Sequence, residues 1–532
     1  MVTATQTPPH DEYAEYSGSI RWIILLAIML GTLMQVVDTS IVNVAVPSMM
    51  GNLGATLDQI GWVSTGYIIA NVICLPLTGW LSSTFGRKRY LAGSMIMFTV
   101  ASLFCGMAHS LNMLIFFRIL QGIGGAALIS TAQATMFEIF PPKQVGMVQA
   151  IYGVGLMLGP TIGPTLGGWL TDNYSWPWIF YINLPIGIVA SILTILFVHD
   201  SPYTHRSHGS VDVVGIGFLA IGLGCLQMVL EKGNREGWFE SSLISTLSVL
   251  AVIGLVAFVY WELKTPNPAV NLRVLKNRGL AAGSAFAAVL GFALFGGIFV
   301  LPVFLQNVRH LTAMQTGMAM LPGALASAAA MMIMGRIINK VSPRTLVTIG
   351  SVGVVASSFM LATLTMDTSA HDIMLPFILR GASMGFLFLP LTMATLIGLK
   401  GRDIAEGTGL FNLARQLGGS AGIAILATFV DHRTAFHRAQ LVEHINMFNP
   451  GFLLRFNQYA QGLMAKGMPL VTARQQALSL IDMGVSGQSA ILAFNDTFLI
   501  AGVIFLVATP LIFLLRPNTP GAKPAGPPHM AE

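Results

Sequence analysis

Charge is what this sequence has least of. Aspartate, glutamate, lysine and arginine make up 9% of its 532 residues and hydrophobic residues 54%, whereas a soluble domain carries roughly 25% charged residues. So few charges cannot cover a water-facing surface, and a soluble fold is excluded. Stretches of about 20 apolar residues, enough to cross a bilayer as a helix, recur between Trp22 and Leu515 with little soluble sequence between them. The expected fold is all-α and integral to a membrane.

Cysteine is also scarce. Cys74, Cys105 and Cys225 lie far apart inside apolar segments, which supports neither a disulfide framework nor a zinc site, and we read them as small apolar packers. His432, His437 and His444 share one polar segment, but their neighbours form no metal-site pattern. The sequence holds no H-E-x-x-H or P-loop pattern, and its intramembrane acids and histidines are too few for a metal centre. No enzyme, metal or cofactor is expected. The first tail carries Asp11, Glu12 and Glu15 where a cleavable signal is basic, so the first helix is the expected insertion signal. The net charge of +6 is scattered through short loops, which suits membrane topology and anionic lipids rather than nucleic acid.

Apolar windows between polar breaks predict fourteen spans, near 21–46, 60–82, 90–108, 112–136, 146–171, 178–198, 213–231, 243–262, 280–306, 314–338, 345–366, 373–397, 405–430 and 490–515. With both ends on one side, the loops of that side hold fourteen basic residues, Arg87, Lys88, Arg89, Lys143, Arg206 and Lys400 among them. The short opposite loops hold Lys232, Arg235 and Arg309. The positive-inside rule then places both termini in the cytoplasm. The segment from about 431 to 489 is too long and too patterned for a plain connector. It is either a docking surface for an extracytoplasmic partner or a helical hairpin covering the mouth.

An internal repeat divides the chain. "LQGIGGAAL" (120–128) aligns with "LRGASMGFL" (379–387), and "LGPTIG" (158–163) with "LGGSAG" (417–422), both at a spacing of 259. "GWLSSTFGRKR" (79–89) echoes "GRIINKVSPRT" (335–345) at 256. The organisation predicted is a tail at 1–20, a six-helix bundle at 21–198, two inserted helices with linkers at 199–279, a second six-helix bundle at 280–515 interrupted by 431–489, and a tail at 516–532. Transporters built from two such halves bind substrate near the membrane midplane, where the halves meet.

Polar residues inside the spans are the candidate site. "TLMQVVDTSIVNVAVP" (32–47) holds Asp38, and "LIFFRILQGIGGA" (114–126) holds Arg118. A bare charge at that depth costs at least about 2.5–3.5 kcal/mol, so each needs a partner or water. Low dielectric favours a neutral carboxyl group and a nearby arginine favours the ion, which is the chemistry proton coupling requires. The alternatives are a capped structural acid and an arginine bonding helix-end carbonyls. Gln35, Asn43, Gln121 and Gln133 are candidates to face a cavity, and Arg380 and Arg415, in the second-half repeat helices, to bind substrate or gate. Glu231, Glu406 and Asp496 fall near span ends, where charges reach the interface. With 31 Phe and 29 Met, an adaptable apolar cavity suits varied lipophilic ligands. In "GVGLMLGPTIGPTLGGWL", Gly155, Gly159, Gly163 and Gly167 repeat every four positions beside Pro160, Pro164 and Gly168, a face that admits a closely packed helix.

These stretches resemble the major facilitator superfamily. "GWLSSTFGRKR" matches its loop signature at Gly79, Leu81, Gly86, Arg87 and Lys88, with Ser83 in place of the family aspartate; Arg118, Gln121 and Gly122 match R-x-x-Q-G. The glycine-proline run resembles the antiporter signature of exporters. "VVDTSIVNVAVP" and "SWPWIFYINLPIG" are similar to segments of the fourteen-helix drug/proton antiporters, and "LNMLIFFR", "WELKTPNP" and "LPLTMATL" to the EmrB-type exporters among them. The resemblance implies proton-driven export of lipophilic drugs or related amphiphiles across a Gram-negative inner membrane. It also implies proton coupling through Arg118, a periplasmic membrane-fusion adaptor and a TolC-type outer-membrane channel. A dedicated exporter of one metabolite, such as a fatty acid or siderophore, is the alternative.

Overall fold

The computed structural model describes residues 18–200, 211–366, 368–396, 398–399 and 402–514. The two expected tails up to residue 17 and from residue 515, the linker at 201–210 with Arg206, and Lys400 lie outside the described residues. Hydrocarbon offers backbone N–H and C=O groups no water to bond, so a spanning segment must satisfy them within itself. The regular elements among the described residues are accordingly helical. In order they are α1 (Gly18–Leu53), α2 (Leu57–Cys74), α3 (Thr78–Phe85), α4 (Arg87–Gly106), α5 (Leu111–Ile139), α6 (Pro142–Asn173), α7 (Trp178–Tyr181), α8 (Asn183–Phe197), α9 (Val213–Lys232), α10 (Ser242–Lys264), α11 (Arg278–Val303), α12 (Ala313–Ile337), α13 (Pro343–Leu361), α14 (Ala370–Leu396), α15 (Arg402–Glu443), α16 (Pro450–Ala465) and α17 (Leu470–Ala508).

Thirteen helices are long and apolar enough to cross a membrane, or fourteen with α2 and α3 taken as one span bent by 65°. The bend falls at Leu75–Pro76–Leu77, where proline lacks the N–H that would continue the ladder. The sequence had predicted one continuous span there. The segment expected as an insertion at 431–489 is mostly the continuation of two spans, because α15 and α17 run on without a break. Hydropathy marks where lipid ends, and helix propensity does not stop there. Arg433 to Asp496 and Arg438 to Asp482, each at 2.6 Å, join the two extensions, and α16 packs on α17.

The repeat reappears in the capping chemistry. Thr56 and Gln59 form a reciprocal capping box at the start of α2, and Thr312 and Gln315 form another at the start of α12, 256 positions later. Ser110 caps α5, and 259 positions later Ser369 pairs reciprocally with Asp372 at the start of α14. Corresponding helices of the two bundles thus begin with the same device.

Two seams join the halves. On one, α6 lies along α12: Gly153 sits against Met331, Gly335 against Ala150 and Met147, and Gly146 against Ile338. On the other, α3 meets α15 near the face that carries the start of α1. A Cβ on Gly79 would approach the Glu406 backbone to 2.9 Å, and one on Gly409 the Leu75 carbonyl to 2.9 Å. The inserted pair covers this second seam. Within it, α9 packs on Ile69 and Ile73 of α2, and Gln227 donates to Ser420 of α15 at 2.9 Å. The loop after α9 straps the opposite face, with Lys232 over Trp62 at 4.4 Å, Asn234 bonded to Asp431 at 2.7 Å and the Trp238 indole bonded to Thr428 at 2.9 Å.

Gly79→Val is expected to wedge α3 from α15, disfavouring the closed seam by about 1–3 kcal/mol, an overpacking cost. Spin labels at Arg89 and Lys340, exposed residues of opposite halves, read this as a longer inter-label distance; an unchanged distance distribution refutes it.

Candidate functional site

The intramembrane charges meet. Asp38 comes from the middle of α1 and Arg118 from α5, and their side chains are 0% and 1% exposed. Arg118 Nη1 donates to Asp38 Oδ2 at 2.5 Å, and its Nε to the Val63 carbonyl of α2 at 3.1 Å. The guanidinium lies over the Tyr67 ring at 4.3 Å. Gln121, one turn beyond Arg118, accepts from Nη1 at 2.8 Å and donates to Asp38 Oδ1 at 3.0 Å. Asn183 of α8 donates to the same oxygen at 2.9 Å and to Ser102 of α4 at 3.0 Å, and Ser102 donates to the Phe180 carbonyl at 2.9 Å. Two helices thus bond the carboxylate that α1 carries, and α2 and α4 hold its partners in place.

Arg118 thus bonds both the acid and a backbone carbonyl within α2. Asn183, Tyr67 and Ser102 were not assigned from sequence. Asn183 lies within the quoted "SWPWIFYINLPIG", so the signal was present without a partner to explain it. Chemically the site holds a carboxylate with donors on both oxygens, out of water, and adding one proton removes the charge that three donors share.

The remaining candidates divide. Gln133 accepts from Asn412 of α15 at 2.8 Å, across the halves. Gln35 is buried, and Asn43 is exposed. Arg380 donates to the Ala293 carbonyl at 2.6 Å, and its guanidinium occupies the space that a side chain at Gly297 would need. Gly297 is the residue 259 positions after Asp38. The cavity beside Arg380 is about 10 Å³, room for roughly one water. Arg415 is buried against the Phe388 ring at 5.3 Å.

Among the signature glycines, Gly159, Gly163 and Gly167 receive Val36, Ser40 and Ile41 of α1. The small-residue face therefore serves α1 within the first bundle, and Gly155 meets nothing within 4 Å. Arg87 forms a bidentate pair with Glu138 of α5, one bond at 2.7 Å. The Lys88 amide donates to Asp200 at 3.0 Å, and Gly86 stands at φ 88° where a Cβ would strike that carboxylate. Ser83, in the family's acidic position, donates back to the Trp80 carbonyl at 2.8 Å. Here the second seam closes through packing at Gly79 and Gly409. His437 pairs with Asp496 at 2.7 Å, away from His432 and His444. Of the cysteines Cys105 is buried, Cys74 and Cys225 are half-buried, and all three are free.

Removing one member of a buried pair leaves an uncompensated charge, which costs about 3–5 kcal/mol. Asp38→Ala is expected to lower the melting temperature of the purified protein by several degrees, and Asp38→Ala with Arg118→Met to restore most of it. A double variant no more stable than the single one refutes the pairing.

The model of the Major Facilitator Superfamily matches residues 28–423. The Multidrug export protein EmrB of Haemophilus influenzae is 35% identical over 513 residues, covering 95% of this chain and 98% of that protein. The Fatty acid resistance protein FarB of Neisseria gonorrhoeae is 33% identical over 508 residues, covering 95% and 98%. The solved structure of the proton:xylose symporter XylE superposes with a TM-score of 0.58 at 14% identity, over 94% of this chain and 96% of that one, a likeness of fold alone. With spans in two repeated bundles and these matches over nearly its whole length, the chain is a membrane transporter rather than an enzyme, and it belongs to the major facilitator superfamily, among the EmrB-type exporters.

Proposed function

We propose that this chain is a proton-driven exporter of lipophilic drugs and related amphiphiles, an antiporter that works by alternating access across the cell inner membrane with both termini cytoplasmic. The observation that carries the reading is the Asp38–Arg118 pair, sealed from water and held by helices that must move. Protonating Asp38 discharges the acceptor of Arg118, Gln121 and Asn183 and loosens α1 from α5 and α8. The route from there to the other half is short, because α1 lies in the glycine face of α6 and α6 lies along α12. Return of the proton to the cytoplasm re-forms the pair. Gln35, Gln133, Asn43 and Arg415 are the side chains offered to substrate; Arg380 stays inside the second bundle.

The name of the Haemophilus relative supports drugs as substrates, and that of the Neisseria relative supports a narrower reading, the dedicated export of a fatty acid. A periplasmic membrane-fusion adaptor and a TolC-type channel are the proposed partners. The extension built from α15, α16 and α17 is where an adaptor docks in this reading. Met447 and Phe448 stand in its turn between α15 and α16, and Phe448 is 95% exposed.

In proteoliposomes with an imposed pH gradient, Asp38→Asn is expected to abolish concentrative drug uptake; transport at the wild-type rate removes Asp38 from the coupling. Phe448→Asp with Met447→Asp is expected to leave vesicle transport intact and to lower whole-cell resistance. Unchanged resistance places the adaptor contact elsewhere.

A further inference from the structure

The two halves treat their buried arginines differently, and Arg415 is left without an acid. It lies 13 residues past the start of α15, about 20 Å of helix rise and so near the middle of the bilayer. It is 6% exposed, and no carboxylate among the described residues pairs with it. Its Nε has no hydrogen-bond partner, and its guanidinium lies over Phe388. Arg118, by contrast, is bonded to Asp38, Gln121 and the Val63 carbonyl. Arg380 is tied to the Ala293 carbonyl beside a cavity too small for more than water.

The surroundings of Arg415 belong to both halves. Gly153 of α6 brings Met331 of α12 and Phe388 of α14 together at the first seam. Tyr152, the next residue back on α6, is buried. One turn before Tyr152, Gln149 is buried with neither amide atom bonded. One turn before Arg415, Asn412 reaches across to Gln133, whose Nε2 is also unbonded. Unspent donors therefore lie on α5, α6 and α15, each at or within about a turn of a residue that meets the other half, where alternating access must open a binding site.

A cation held near the midplane without a counter-ion is stabilised by a ligand that brings one. We propose that Arg415 receives the anionic head of a lipophilic acid, whose tail lies along Phe388 and Met331, so that weakly acidic amphiphiles in their ionised form are the preferred substrates. The amides of Gln149 and Gln133 supply donors for the second carboxylate oxygen. A neutral amphiphile fills the apolar part alone and leaves the guanidinium unpaired. This assignment rests on the proposed export function and specifies its substrate class. Export of a monoanion also moves negative charge outward, so the membrane potential assists it along with the pH gradient.

The test uses the full chain in proteoliposomes with a matched pair of probes, a fluorescent fatty acid and its primary amide. For the wild type, the acid is transported faster than the amide. Arg415→Gln is expected to lower the acid-to-amide rate ratio about tenfold or more, the effect of losing a charged hydrogen bond, and Arg415→Lys to restore part of it. An unchanged ratio overturns the assignment, as does equal loss of both probes with Arg415→Lys no better than Arg415→Gln. Transport of neither probe nor any drug by the wild type overturns the export function instead. Where Arg415→Gln does not fold, binding to wild type and Arg415→Lys in nanodiscs decides: acid tighter than amide, and weakened by Arg415→Lys, supports the assignment, and equal affinities overturn it.

Discussion

A carboxylate and a guanidinium inside a bilayer must satisfy each other, since lipid supplies no water to do so. Asp38 and Arg118 meet this demand across two helices, and much else in the first bundle follows from it. Gln121 is placed one turn from Arg118 to bond both partners, Asn183 fills the second acceptor oxygen, and Ser102 holds Asn183 in place. The same bonds tie α1 to α5 and α8. A proton on Asp38 would change the bonding of three side chains on two helices, Arg118 and Gln121 of α5 and Asn183 of α8.

The fold was legible because the physics behind it is local. Apolar length announces spans, and basic residues collect between them. Repeated glycines and caps record the duplication, as Thr56 with Gln59 and Thr312 with Gln315 show. Less was readable where a boundary depends on something other than hydropathy. The Pro76 bend lies within an unbroken apolar run, and α15 passes out of the lipid as a continuous helix because its polar outer residues are themselves good helix formers. At the site, Asp38 and Arg118 declared themselves by their cost. Asn183 did not, since an uncharged amide in an apolar helix carries a smaller penalty and its partner lies 145 positions away. Arg380 and Arg415 looked alike in sequence, and only packing separates them.

The duplication has been edited unevenly. In the first half, positions 38 and 121 carry an acid and an amide in contact. In the second, the positions 259 further on carry Gly297 and Arg380, and the cation lies against the glycine. The acid's position is taken by a glycine and the amide's by a cation that fills the space beside it, so the second bundle has no copy of the Asp38 carboxylate at this position.

The inserted helices add a directional consequence. Since α9 lies over the groove between α2 and α15, and α10 turns Val252, Ile253 and Val256 outward, this side of the transporter is walled by an apolar layer two helices thick. Cargo dissolved in the membrane cannot slip in sideways there without displacing that layer. Among the described residues, the α6–α12 side has no such wall. A molecule with twofold pseudo-symmetry thereby becomes one with a front and a back, and lipid-borne cargo has one flank from which to approach.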